Sequence, residues 1–389
     1  MSVDIEPVGE WDHLAGVTYL NFAAHAALPR SVLDAAQSVV AALRGRHAVG
    51  DSHFFTLTGR VRSLVAGLIG AEPADITLTT GASGGLALLA QALPWQRGDE
   101  VLLVRGDFPC HYATWKPLAD REGLALRELD FPGEFPEVEA LAAALSPRTR
   151  LVSLSHVRFD DGSLLDVQAL AAACSRQGTM IVLDASQSCG ALPVDMRSLG
   201  VDYLVGAGYK YLLGPMGTGF LWARGALQAR FRPVPGNWAM QGVEQFSQLR
   251  YAAPPASRDM ARWDAPETQT SLNLNVAVWH ESLKYVAKVG PARVYAHAQA
   301  LVDRLFDNLP APFRVASPRD RSRRGAFGCI DAGSRHASQA VHAALKRTSF
   351  VVALREGRLR ISPYLCSTYA DIDGLVEALQ GALEQSRHA

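Results

Sequence analysis

A lysine and an aspartate stand out because each is placed where a surface charge has little use. Lys210 lies in VGAGYKYLLGPMGTGF (205–220), between two tyrosines, after small residues and before a Gly-Pro-x-Gly turn. An amine enclosed by apolar neighbours loses its proton more readily than one in water, which suits it to act as a nucleophile. Asp184 ends the apolar run of MIVLDASQSCGALPVD (180–195), and the carboxyl end of a strand is where α/β folds bind ligands. A carboxylate there needs a cationic partner, unless Asp184 only caps a helix or turn.

A glycine-rich turn is a second candidate binding element. The segment TTGASGGLALLAQAL (79–93) has the pattern of a strand, a turn and the beginning of a helix, where free N–H groups and the helix dipole favour a phosphate. It lacks the G-x-G-x-x-G spacing of dinucleotide-binding folds and the G-x-x-x-x-G-K-[ST] of a P-loop, which disfavours a nicotinamide or nucleotide ligand. A capped helix entered through glycine is the other interpretation.

The elements that must position these residues alternate between apolar, β-rich runs and amphipathic stretches, a pattern typical of an α/β fold with a largely parallel sheet. Helical periodicity covers 83–93, 136–145 and 167–177, and the run 273–309 predicts one long helix. The predicted organisation is an N-terminal segment (1–15), a large domain (16–289) and a small C-terminal domain (290–389). The predicted strands are 75–80, 100–105, 125–130, 149–157, 179–185, 201–208 and 218–224.

Composition narrows the class of protein. The chain has 389 residues, is 48% hydrophobic and carries 38 basic and 38 acidic residues, so a large core is expected and neither nucleic acid nor a charged membrane surface is an expected partner. No signal peptide or transmembrane run is visible, and a cytoplasmic protein is expected. No C-x-x-C pair or other metal-binding pattern occurs, so no metal is expected. The cysteines are odd in number and widely spaced, which fits free thiols: Cys110, Cys174, Cys189, Cys329 and Cys366.

Taken together, these segments resemble the class V branch of the pyridoxal-phosphate-dependent aminotransferase superfamily, which has the fold type I architecture. The strongest matches are LDASQSCGALPVD, which contains Asp184, and LGVDYLVGAGYKYLLGPMGTGFLW, which contains Lys210. YLNFAAHAALPRSV (19–32) and LRISPYLCSTYADIDGL (359–375) match more weakly. The resemblance spans nearly the whole chain and implies a mostly parallel seven-stranded sheet in the large domain and a small C-terminal α+β domain.

The resemblance also implies a cofactor and roles for the residues around it. Lys210 is expected to form a Schiff base with pyridoxal 5'-phosphate, because that requires a held amine able to lose its proton. Asp184 is expected to pair with the pyridinium nitrogen and keep it protonated, and Gln187 to hydrogen-bond the phenolic oxygen. The phosphate is expected at the turn formed by Gly81, Ala82 and Ser83.

Within this superfamily, GDFPCHYATW (106–115) resembles the Phe-Pro-Ser-Asp-x-Tyr segment of kynureninases, which implies that Phe108 stacks on the cofactor ring. His111 stands where that family has aspartate, and this departure weakens the expectation of kynurenine hydrolysis. Tyr209 and Trp238 occupy positions that reach the phosphate in kynureninases. Thr270 matches a threonine that reaches the phosphate of a neighbouring subunit, which implies a homodimer with active sites at the subunit interface.

Other matching positions concern the substrate. Arg360 in GRLRIS matches the arginine that binds the substrate's α-carboxylate, a bidentate task that suits a guanidinium. Arg358 is expected to face the other way, so that only one of the two serves the site. Asn21 and His25 match an N-terminal segment on the substrate side, and His25 and His111 are candidate acid-base groups.

The predicted function is that of a pyridoxal-phosphate-dependent enzyme acting on an α-amino acid, either a lyase (β-elimination or kynureninase-like cleavage) or an aminotransferase. An amino-acid epimerase of the same superfamily is an alternative, and a non-catalytic α/β module that binds a nucleotide or phosphate is an alternative of another class. Cysteine desulfurases of this branch carry a nucleophilic cysteine upstream of the carboxylate-binding arginine. Because residues 330–362 contain no cysteine, we predict that this chain is not a desulfurase.

Overall fold

The computed structural model describes residues 9–48, 51–131, 135–232, 260–264 and 274–387. Within them the strands are β1 (Thr18–Tyr19), β2 (Ile76–Thr79), β3 (Glu100–Val104), β4 (Ala125–Leu129), β5 (Thr149–Ser155), β6 (Met180–Asp184), β7 (Tyr203–Ala207), β8 (Gly219–Ala223), β9 (Arg314–Val315), β10 (Gly328–Asp331), β11 (Phe350–Val351), β12 (Ala353–Arg355) and β13 (Arg358–Ile361).

The α-helices in the same ranges are α1 (Arg30–Ala42), α2 (Asp51–Ile69), α3 (Ala82–Ala92), α4 (Pro109–Glu122), α5 (Val138–Ala143), α6 (Val167–Gln177), α7 (Met196–Leu199), α8 (Gly225–Gln228), α9 (Leu274–Val289), α10 (Pro291–Asp307), α11 (Arg335–Leu345) and α12 (Tyr369–Arg387). In the described part of the chain, no helix is long and apolar enough to cross a membrane.

A seven-stranded sheet forms the centre of the large domain, in the order β2-β8-β7-β6-β5-β3-β4. Strand β8 runs antiparallel to both of its neighbours and the remaining pairs are parallel. The central strands of this sheet are apolar at almost every position because helices cover both faces of the sheet. The predicted mostly parallel seven-stranded sheet is confirmed, and all seven predicted strands are present.

Alternate residues of each central strand enter two separate cores. Leu183 and Leu204 face a cluster completed by residues of α2, α6 and α9, whereas Val182 and Val205 face the cluster that α3 and α4 cover. This period-two pattern holds the sheet rigidly between its helices. The carboxyl ends of β5, β6 and β7 therefore lie side by side at a fixed edge.

A smaller antiparallel sheet, in the order β12-β13-β10-β9, carries the C-terminal part of the chain, and α10, α11 and α12 share its apolar core. The N-terminal strand β1 pairs in parallel with β11, and Asn21 forms an isolated bridge with Ser362. The expectation of one long helix over 273–309 is wrong. Helix α9 ends at Val289, Gly290 adopts a positive φ of 84°, and Pro291 begins α10. The proposed division at residues 15 and 289 stays a prediction.

Candidate active site

Lys210 lies three residues beyond the end of β7, and only 6% of the residue is exposed. Its Nζ is 5.2 Å from the centroid of the Phe108 ring and 6.0 Å from that of Tyr209, the residue before it. Burial lowers the pKa of Lys210 to about 8, although the charge of Asp184 opposes this shift. The result is a buried amine beside two aromatic rings that loses its proton at a lower pH than an exposed lysine does.

Asp184 is the last residue of β6 and is almost completely buried. Its Oδ1 accepts a hydrogen bond from the backbone N–H of Ser186, at 2.8 Å. Its Oδ2 lies 3.8 Å from the Sγ of Cys110, which is in the first turn of α4. In the described ranges it forms no salt bridge, so the carboxylate is held in one orientation with a cationic partner still to be supplied.

His111, the next residue of α4, is buried against β5. Its Nδ1 lies 2.7 Å from the hydroxyl of Ser153, and its Nε2 lies 3.5 Å from that of Ser155. The Ser155 hydroxyl also donates to Asp107, at 2.7 Å. Both ring nitrogens therefore face serine hydroxyls of the strand next to Asp184. These two contacts explain how the His111 ring is held. The role of His111 in substrate binding stays a prediction.

Three side chains around Asp184 lie close enough together to be candidate metal ligands. One ligand atom each of Cys110, His111 and Asp184 lies within 4.8 Å of the others. Burial and the charge of Asp184 raise the pKa of the Cys110 thiol well above its usual range, so a metal ion would have to displace the thiol proton. Both ring nitrogens of His111 already face serine hydroxyls.

The predicted phosphate-binding turn is the beginning of α3. Gly81 is its N-cap, with a φ of 147° that favours glycine, and the first amides of a helix have no acceptor within it. Gly81 and Ala82 are buried, whereas Ser83 is exposed. A Cβ at Gly219 would come within 2.4 Å of the Gly81 Cα, so glycine at 219 lets β8 pack against the turn. The structure therefore places free N–H groups at the same edge of the sheet as Asp184 and Lys210.

Residues 21–25 connect the N-terminal segment to this edge. The side-chain amide of Gln187 donates to the carbonyl of Ala23, at 3.0 Å, while its Oε1 is buried without a hydrogen-bond partner. The Oδ1 of Asn21 is likewise buried and unpartnered. The ring of His25 is exposed and lies 6.0 Å from that of Tyr209.

Arg360 is fully buried in β13 and points to the loop after β5. Its Nη1 donates to the carbonyl of Phe159, at 2.9 Å, and its Nε is buried without a partner. The ring of Phe159 also packs edge-on against Phe108, with centroids 5.4 Å apart. Arg360 thus lies close to the residues beside Phe108 and keeps an unpartnered N–H donor, as a carboxylate-binding residue requires.

The expectation that Arg358 faces away from Arg360 is wrong. Residues two positions apart on a strand share a face, and Arg358 contacts Asp160 of the same loop, at 3.7 Å. Trp238 and Thr270 lie outside the described residues, so their predicted contacts with the phosphate stay predictions.

Sequence reasoning missed helix α4, because its first turn was interpreted only as a motif following a strand. The contact between Cys110 and Asp184 was missed for the same reason. Asp107 and Asp160 were missed too, although they lie two and three residues after the predicted strands 100–105 and 149–157. Buried His156 after β5, whose Nδ1 lies 3.0 Å from the Ser188 hydroxyl, gave no signal beyond its position.

Comparison with known proteins gives the same assignment. Residues 18–368 match the family described as Aminotransferase class-V, so this chain belongs to that family and is a pyridoxal-phosphate-dependent enzyme. It is 27% identical over 405 residues to an isopenicillin N epimerase of Streptomyces clavuligerus, covering 96% of this chain and 98% of that protein. It is 32% identical over 219 residues to a kynureninase of Pseudomonas fluorescens, covering 53% of this chain and 51% of that one.

Among solved structures, the fold is similar to that of the cystine C-S lyase C-DES in complex with its reaction product cysteine persulfide. The TM-score is 0.83 at 23% identity, and the match covers 95% of this chain and 98% of that one. This likeness supports the fold type I architecture.

The site fits the cofactor that the family uses. Three groups lie at one edge of the sheet: a buried amine with a lowered pKa, a buried carboxylate that forms no salt bridge with the described residues, and the first amides of α3. The unpartnered oxygens of Gln187 and Asn21 are buried at the same edge. Buried polar atoms without partners are costly in a folded protein unless a ligand satisfies them.

Proposed function

We propose that this enzyme is a lyase or an aminotransferase that removes the α-proton of an amino acid, with Lys210 as the base. When bound, pyridoxal phosphate supplies an electron-withdrawing ring that makes this proton easier to remove. The observation that carries the proposal is the buried Lys210 amine, whose pKa is lowered to about 8. A base with a pKa near the working pH is efficient both in taking a proton and in returning it.

The other residues orient the two ligands around that amine. Asp184 is proposed to hold the ring nitrogen in its protonated form, and Gln187 to donate a side-chain amide N–H to the phenolic oxygen. Gly81, Ala82 and Ser83 are proposed to bind the phosphate through the first turn of α3. Phe108 covers one side of the site, because Lys210 Nζ lies over its ring.

Arg360 is proposed to bind the substrate's α-carboxylate. Its guanidinium is held by the Phe159 carbonyl and lies over the Phe327 ring, with 5.4 Å to the centroid, so its direction is fixed before a substrate arrives. When Arg360 holds the substrate's α-carboxylate, the position of that group determines which bond at the substrate's Cα faces the Lys210 amine.

Epimerisation is a second candidate, favoured by the similarity to isopenicillin N epimerase over nearly the whole chain. All three reactions begin by removing the α-proton, and they differ in the fate of the carbon that has lost it. Incubating the holoenzyme with a panel of L-amino acids in D2O tests the shared step, because exchange of the α-proton is visible by NMR. Chiral chromatography and 2-oxo-acid analysis then separate the outcomes. Absence of exchange with every amino acid that changes the cofactor's absorbance would contradict the proposal.

Desulfuration is disfavoured by the state of the thiols. Cys329 is completely buried, and its pKa is raised to about 12, mainly by burial. Cys366 is partly exposed, but burial raises the pKa of its thiol to about 12 as well. A sulfur-accepting cysteine must be an accessible thiolate, which neither residue provides.

Two further proposals rest on the family resemblance. We propose that the enzyme is a homodimer with Thr270 reaching the partner's cofactor, and that it is cytoplasmic. Light scattering coupled to size exclusion tests the first, and a monomer with full activity would contradict it.

A further inference from the structure

Three arginines lie on one face of the hairpin formed by β12 and β13. The register pairs Ala353 with Arg360 and Arg355 with Arg358. Opposite residues in an antiparallel pair share a face, and so do residues two apart on one strand. Arg355, Arg358 and Arg360 therefore project from the same side of the hairpin.

The opposite face of the hairpin packs against the core of the small domain. Leu354 and Leu359 are paired across the hairpin and pack in the apolar cluster of that domain. The arginine face is consequently the one turned to the loop after β5, where Arg360 contacts Phe159 and Arg358 contacts Asp160.

The three arginines differ in the groups that they contact, and the nearby acids already contact other arginines. Arg360 donates to a carbonyl and Arg358 pairs with Asp160. Arg158 forms salt bridges with Asp160, at 3.1 Å, and with Asp161, at 3.3 Å. Arg355 is different, since its Nη1 donates only to the carbonyl of the adjacent Leu354, and no carboxylate within the described ranges pairs with it.

Arg355 is also close enough to the catalytic lysine to act on its charge. After burial and the charge of Asp184, the positive charges of Arg360 and Arg355 are among the causes that set the pKa of Lys210, and both lower it. Arg355 is half-buried. A half-buried guanidinium that pairs with no carboxylate of the described residues, beside an amino-acid site, is suited to a second anionic group.

We propose that Arg355 binds a distal carboxylate of the substrate, so that the preferred amino acid has an acidic side chain. The inference rests on the proposed function, because it takes Arg360 as the residue that binds the α-carboxylate. Arg355 and Arg360 are diagonal neighbours across the hairpin, a relationship that separates Cα atoms by about 7–8 Å. Because both side chains leave the same face of the hairpin from Cα atoms at this spacing, their guanidiniums can bind the two ends of one short dicarboxylic chain.

The test measures binding of acids that have no amine and cannot react. Succinate, glutarate and adipate are titrated into the holoenzyme by calorimetry, each against the monocarboxylate of equal length (butyrate, pentanoate, hexanoate). We expect at least one dicarboxylate to bind about tenfold or more tightly than its counterpart, because hydrogen bonds to charged groups contribute on this scale. Arg355→Met should abolish this preference, and Arg355→Lys should retain part of it.

The matched control is Glu356→Gln, which changes a charge at the adjacent exposed position and should leave the preference unchanged. The inference is overturned if the native enzyme shows no preference at any length, or if Arg355→Met keeps it. It is also overturned if Arg355→Met weakens binding of pyridoxal phosphate as much as that of the dicarboxylate, since Arg355 would then serve the cofactor. The proposed function is judged separately, by α-proton exchange in the native enzyme.

Discussion

The thiol of Cys110 lies 3.8 Å from the Oδ2 of Asp184, and this contact joins the beginning of α4 to the end of β6. The neighbouring oxygen of Asp184 accepts from the Ser186 N–H, so both sides of the carboxylate are fixed by groups that carry no charge. Burying a carboxylate costs free energy, and an opposite charge beside it offsets part of that cost. We propose that the protonated ring nitrogen of the cofactor is the cation that pairs with Asp184.

Asp184→Asn should therefore slow removal of the α-proton by about a hundredfold or more, because a neutral amide does not keep the ring nitrogen protonated. The measurement is the rate of α-proton exchange in D2O at saturating amino acid, with cofactor content and circular dichroism as controls. An exchange rate equal to that of the native enzyme would remove Asp184 from this role.

Arg360→Met should lower kcat/KM for substrates that carry an α-carboxylate far more than for the corresponding amines. Loss of one partner of a buried charged pair costs about 2–5 kcal/mol, which corresponds to roughly thirtyfold or more in kcat/KM. The comparison is between an amino acid and the amine that lacks its carboxylate, measured in both proteins. Equal losses for the two compounds would place the carboxylate site elsewhere.

Lys210 should titrate near pH 8 in the cofactor-free protein, because burial lowers its pKa to about 8. Its acetylation rate, followed by peptide mass spectrometry, should rise through this pH. Lys116 is an internal control, since its hydrogen bond to Asp120 raises the pKa of an exposed lysine. The unfolded chain holds more protons on Lys210 between about pH 8 and its ordinary pKa, so this group's contribution to stability increases with pH in that window. Identical midpoints for the two lysines would contradict the assignment.

Replacing Cys329 and Cys366 with alanine should leave α-proton exchange nearly unchanged and reduce stability modestly, because the thiols serve as small packed groups. Mass spectrometry after incubation with cysteine checks the same point. A persulfide on either thiol, lost together with activity in the corresponding alanine variant, would make desulfuration the leading function.

The strands of the seven-stranded sheet could be predicted from the sequence because they are short apolar runs bounded by turn residues. These runs are apolar because both faces of strands such as β6 and β7 are buried. The burial of Lys210 and Asp184 could be anticipated for a related reason, since each follows a run of apolar and small residues; their roles stay predictions. The break at Gly290 was missed because the apolar period continues through α9 and α10, although a glycine with positive φ and a proline separate them.

The rest of the site depends on contacts between distant segments, which local patterns do not encode. The approach of Cys110 to Asp184 and of Arg360 to Phe159 arises only when α4 and β13 are docked on the sheet edge. The common face of Arg355, Arg358 and Arg360 follows from the hairpin register, which was not assigned from the sequence.

The most direct test of the account is to identify the residue that binds the cofactor. The holoenzyme is reduced with borohydride and digested, and the peptide carrying the phosphopyridoxyl group is sequenced by mass spectrometry. We expect the label on Lys210, and we expect Lys210→Ala to lose both the label and the visible absorbance band while retaining its circular dichroism spectrum. A label on another lysine, or a Lys210→Ala protein with the band and full turnover, would contradict the account.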